Sequence, residues 1–159
     1  MNQIAPFQFP TEPVGYERDF AQWIDEQAEL LRSKDFERLD LINLVEEIED
    51  MGKNLKHELY SRLEVLILHL LKCEYQPERK SSSWTGSIAE QRSHILRRLK
   101  QSPSLDRLVD EYARECYATA AFRAADDTGL PVTAFPSTLP YSREQLLGMG
   151  FIPTATRGN

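Results

Sequence analysis

The chain predicts an all-α fold, a single bundle of four main helices with proline-rich arms at both ends, on three observations. The nine prolines lie at 6, 10, 13, 77, 103, 131, 136, 140 and 153, so none falls between 14 and 76. Proline breaks a helix interior at about 3 kcal/mol, and a proline-free run of that length suits long helices. An apolar stripe at the helical period runs from Leu41 through Leu44/Val45, Ile48, Met51/Gly52, Leu55, Leu59, Leu63, Leu66 and Leu70 to Cys73, in phase for about nine turns. Finally, no segment alternates polar and apolar residues with the period of two that a half-buried strand needs.

The elements follow in order. Residues 1–15, with prolines at 6, 10 and 13, are expected to form an N-terminal arm. Phe20, Trp23, Ile24, Gln27, Leu30 and Leu31 recur at spacings of three and four, which predicts a helix over 16–33. The long stripe predicts a second helix over 40–75, with Asp40 as its N-cap. Gly52 falls on the apolar face, where it costs up to about 1 kcal/mol against alanine; close approach of a neighbour, or a kink, would account for it. "LEVLILHLL" is apolar nearly all round and marks the buried centre of the bundle. "YQPERKSSSWTG" reads as a loop. Ser87 and Glu90 then make a capping box that opens a helix to about residue 100, with Ile88, Ile95, Leu96 and Leu99 as its apolar side. Ser102 and Pro103 restart the chain as N-cap and first helical residue. That helix carries Leu105, Leu108, Val109, Tyr112, Cys116 and Ala120 to about 126, and Gly129 fits its stop. Residues 127–159 read as an extended arm with one short helix, opened by a capping box of Ser142 and Gln145.

A chain of 159 residues predicts one domain, here 1–159, and 41% hydrophobic with 28% charged residues is an ordinary globular balance. Two cysteines, Cys73 and Cys116, are too few for a disulfide framework or a four-ligand zinc site. The first ten residues lack the basic and apolar regions of a signal peptide. The longest apolar run, "VLILHLL", is far too short to span a bilayer. A soluble, cytoplasmic protein without membrane or cofactor is therefore expected. Net charge is −6 but unevenly spread. Residues 72–100 hold seven Lys/Arg against three Glu, whereas 35–50 hold seven acids against Arg38 alone. Such segments can face each other within the fold or meet in a partner.

Four groups of residues could carry function. "LVEEIEDMG" sets Glu46, Glu47, Glu49 and Asp50 on two turns, where like charges repel by roughly 0.2–0.5 kcal/mol per pair. A di-metal bundle site would need Glu-x-x-His pairs, and none precedes His57, His69 or His94, so a solvated or salt-bridged face is expected and no metal. His69 with Cys73 one turn later supplies two soft ligands, too few for zinc. A hydrogen-bonded core histidine explains His69 better than a base for a Cys73 nucleophile. The stretch from Lys72 through Arg79, Lys80 and Trp84 to Arg92 combines cations, serines, an aromatic ring and a helix start. That is the composition of an anion or nucleic-acid contact, or of a surface complementing the chain's own acids. Lastly, Asp40, Asn43, Glu47 and His69 lie on one flank of the long helix and form a usable acid–base set for a metal-dependent or hydrolytic enzyme. No P-loop, dinucleotide fingerprint or Gly-x-Ser-x-Gly elbow is present.

The chain resembles the family called domain of unknown function 29. The resemblance lies in "YERDFAQWIDEQAELLRSKDFERLDLINLVEEIEDMG", "SRLEVLILHLLKCEYQP", "SSSWTGSIAEQR", "PSL", "DTGL", "FP" and "PY", in that order over about residues 16–141. The chain departs from the pattern at Cys73, where an aromatic is usual, and at Leu139, where cysteine is common; both departures argue against an essential Cys73. The resemblance implies a mostly helical fold and brings no activity, cofactor or catalytic residue. With no catalytic constellation, the expected function is a non-enzymatic interaction module that self-associates or binds a protein partner. A nucleic-acid or phosphate binder and an acid–base enzyme are the alternatives.

Overall fold

In the computed structural model the described residues are 15–155, which leaves the predicted N-terminal arm, Gly15 apart, outside them. The fold is all-α: four main helices, a short fifth, and no strand among the described residues. They are α1 (Phe20–Ser33), α2 (Leu41–Tyr75), α3 (Ser82–Gln101), α4 (Val109–Thr128) and α5 (Arg143–Leu147). Two compact units are distinguished, residues 1–52 and 53–159, with the boundary inside α2 after Gly52.

In the first unit, α1 starts at Phe20, later than the apolar spacing predicted. Asp19 is the reason, since its side chain accepts from the Gln22 N–H and caps the helix, while Tyr16–Arg18 form a turn. Lys34, at φ 61°, ends α1 in the left-handed conformation, and a 3₁₀ turn over Phe36–Arg38 leads to α2. Tyr16 meets both Phe20 and Trp23 edge to face, at 5.5 and 5.0 Å between centroids.

The 35-residue α2 matches its predicted bounds and runs unbroken through Gly52. Its stripe behaves in two ways. Leu63, Leu66 and Leu70 are 0% exposed, whereas Ile42 is 82%, Ile48 65% and Met51 66% exposed. The expectation of a buried stripe along the whole helix therefore holds only from Leu59 onward.

The core of the second unit gathers Leu59–Cys73 of α2 with Ile88 and Ile95 of α3 and Val109, Ala113, Cys116 and Ala120 of α4. Helix α3 begins at Ser82, five residues before the predicted capping box, because Ser81 caps it through the Trp84 N–H and leaves Ser87–Glu90 in the helix interior. After Pro103 the chain makes a 3₁₀ helix to Leu108 before α4 begins, and Ser102 makes no side-chain cap. Gly129, at φ 73°, closes α4 as expected. The C-terminal arm packs onto this core: Phe135, Tyr141 and Leu146 are buried in it, and α5 opens with the predicted Ser142–Gln145 capping box. Tyr117 donates to the Pro136 carbonyl at 2.6 Å, and Tyr141 to Glu74 at 2.6 Å.

Candidate functional site

Asp40, Asn43 and Glu47 come together with Trp23, Gln27 and Tyr16 in the first unit. The Asp40 carboxylate accepts from Asn43 Nδ2 at 2.7 Å and from Trp23 Nε1 at 3.2 Å, and caps α2 through the Asn43 N–H. The Asp40 backbone N–H donates to Gln27 Oε1 at 2.8 Å. The Asn43 amide, foremost, holds the Asp40 carboxyl below the usual aspartate range. An acid held ionised by donors on several sides is a strut for the helix start, ill suited to giving or taking a proton near neutral pH. Glu47 accepts from the Tyr16 hydroxyl at 2.5 Å, which pushes that phenol up to about 12. Glu46 and Glu49 are exposed.

His69, about six turns further along α2, belongs to the second unit. Its Nδ1 lies 2.8 Å from the Val65 carbonyl, so Nδ1–H donates and Nε2 keeps the lone pair. Burial lowers its pKa despite that bond, with Lys72 and Arg123 adding to the effect. The unfolded chain gains this proton near pH 6.5 and the folded chain only further down. Between those values the unfolded state binds more protons, so stability falls as pH drops below about 6.5. Urea denaturation at about pH 7.5 and 5.5 should show wild type losing more stability than His69→Gln; equal losses would remove His69 as the cause. Cys73 and Cys116 are buried free thiols, and burial raises both, Cys116 to about 12, so neither is a ready nucleophile. Among the described residues, no three His, Cys, Asp or Glu side chains converge as a metal would require.

The basic strip is divided. Lys72 donates to Asp127 at 2.7 Å and lies 4.7 Å from the centroid of the Trp84 ring, so both residues are engaged inside the second unit. Arg98 and Arg62 share the Glu58 carboxylate. Arg92, one of the anion-binding candidates, is 0% exposed. Its guanidinium donates to the carbonyls of Leu146 at 2.8 Å, Gln145 at 2.8 Å and Phe151 at 2.6 Å. It thus closes the C-terminal end of α5, where free carbonyls and the helix dipole favour a cation. Only Arg79 and Lys80 of the five candidates stand exposed, in and just after a 3₁₀ turn. The signal that separates Arg92 from them was its spacing: with Ile88, Ile95 and Leu99 it falls on the buried side of α3.

Two surface features remain. A shallow open cleft of about 370 Å³ is lined by Lys53, Lys56, His57, Tyr60, Tyr112 and Glu115. Lys53, Lys56, His57 and Glu115 on its walls are exposed, with Tyr60 and Tyr112 half-buried, and nothing encloses a ligand. The second feature is the exposed stripe on α2, formed by Leu41, Ile42, Val45, Ile48 and Met51. Each such side chain gains about 1.5–3 kcal/mol when removed from water. A solvent-facing helix carries polar residues there, and an exposed contiguous apolar patch marks an interaction surface. On α1, Phe20, Ile24 and Leu31 are also exposed.

These features define a small helical protein whose α2 carries an exposed apolar face. The chain belongs to the family described as domain of unknown function DUF29, whose profile matches residues 15–152. No curated protein and no solved structure matches it. No helix among the described residues is long and apolar enough to cross a membrane.

Proposed function

We propose that this protein is a non-enzymatic interaction module that docks protein surface on the apolar face of α2 between Leu41 and Met51. The observation that carries this reading is the change along one helix. A stripe in constant phase is sealed from Leu59 onward and open before Gly52. Binding through a helix face at i, i+3, i+4 and i+7 positions is a common mode of peptide and protein recognition. The acid–base reading has less support, since Asp40 is occupied by structural hydrogen bonds. The nucleic-acid reading loses Lys72, Trp84 and Arg92 to internal contacts.

A photo-crosslinking residue at Ile48 tests the docking reading in cells, with the same residue at Phe122, exposed in the second unit, as control. A discrete adduct at Ile48 and none at Phe122 is expected. Its absence would end the docking reading. Light scattering of the purified protein at low and high salt tests self-association. A monomer at micromolar concentration in low salt removes self-association and leaves a different protein as occupant.

A further inference from the structure

Resting on the docking reading, we infer that the occupant of the α2 face is an amphipathic helix from a different protein, with its apolar side edged by Lys or Arg. Charge selects it. Residues 15–52 carry twelve Asp/Glu against four Lys/Arg, a net of −8. Over 41–52 Glu47 and Glu49 border the face at the helical period, Glu46 and Asp50 lie behind it, and the stretch holds no Lys or Arg. A second copy presenting the same face would bring like charges together around the apolar contact, which opposes association. A cationic rim neutralises them and steers the encounter. The shape also fits a helix. Leu41, Ile42, Val45, Ile48 and Met51 cover three turns, about 15 Å, the footprint of three turns of a partner. Next to them, a Cβ built on Gly52 meets nothing within 4 Å. The chain's own packing therefore does not require glycine at this helix-interior position, whereas a neighbouring helix crossing there gains close backbone approach from the missing side chain.

The test uses the full chain and two synthetic five-turn helical peptides, one with Leu on one face and Lys on the other, the second with Glu in place of Lys. Fluorescence anisotropy should show the Leu/Lys peptide binding in the micromolar range and weakening about tenfold or more at high salt, with no binding of the Leu/Glu peptide. Ile42→Ser with Ile48→Ser should weaken the Leu/Lys peptide about tenfold or more and leave the circular dichroism spectrum unchanged, since both residues are exposed. Binding unaffected by the serine pair would mean that charge alone holds the peptide, and would overturn the inference. A wild-type dimer that the serine pair dissolves would overturn it in favour of a second copy while preserving the docking reading. No peptide binding, together with a discrete adduct at Ile48, overturns only the choice of occupant; no peptide binding and no adduct overturn both.

Discussion

Leu66→Ala should lower the unfolding free energy by about 2–5 kcal/mol, because a fully buried leucine leaves a cavity that its neighbours fill only in part. Leu66 is 0% exposed and belongs to the core cluster shared by α2, α3 and α4. On the same helix, Glu46→Ala should change stability by no more than roughly 0.5 kcal/mol, or stabilise slightly by removing like-charge repulsion. Glu46 is exposed, with Glu49 and Asp50 within one turn of it. Urea melts of both variants give the comparison. If Glu46→Ala proved as damaging as Leu66→Ala, the acidic run would be holding a buried network, and its description as a solvated face would be wrong.

Arg92→Met should lower the unfolding free energy by a few kcal/mol, about 1–3 for each buried carbonyl left without its donor. Methionine keeps the unbranched apolar stem, so the effect isolates the guanidinium. Without it, the carbonyls of Gln145, Leu146 and Phe151 lose a common donor. Each buried acceptor left unpaired costs about 1–3 kcal/mol, unless the arm lifts and lets water in. Either response is measurable: a lower urea midpoint, or faster proteolysis confined to residues 142–152. Arg92→Lys should recover little, since an ammonium is a point charge and cannot reproduce a planar fork spread over three carbonyls. A methionine variant with wild-type stability and wild-type proteolysis would show that the arm is held by its apolar contacts alone.

The helices were legible because periodicity is local. Thirty-three residues of unbroken phase from Leu41 to Cys73 left little freedom for α2, and Gly129 and the Ser142–Gln145 box announced their own positions. The start of α3 is less legible, because three consecutive serines and a Ser-x-x-Glu box compete as caps, and it is Ser81 that accepts from the Trp84 N–H. The candidate site was less legible. Composition placed Arg92 in a basic strip, whereas spacing would have placed it on the buried side of α3, and spacing was the better guide. Contacts such as Tyr141 with Glu74 span 67 residues and leave no trace in any window of sequence. Nor can an amphipathic stripe say what covers it. Ile48 and Leu66 occupy equivalent phases of one pattern, and only the tertiary structure shows one open and the other sealed.

The divided stripe has a consequence for how the chain can drift over generations. Downstream of Leu59, a polar replacement is removed because the protein no longer folds, and any apolar residue of similar volume passes. Upstream, serine or lysine in place of Ile42 or Ile48 leaves the fold intact and makes the protein more soluble, so folding exerts no pressure to keep them apolar. On the docking reading proposed above, pressure to keep apolar residues there would come from association. Among relatives, variation at 63, 66 and 70 should therefore record the history of the core, and variation at 42, 45 and 48, on the docking reading, the history of its occupant. The two records, written on one helix, are free to change at different rates.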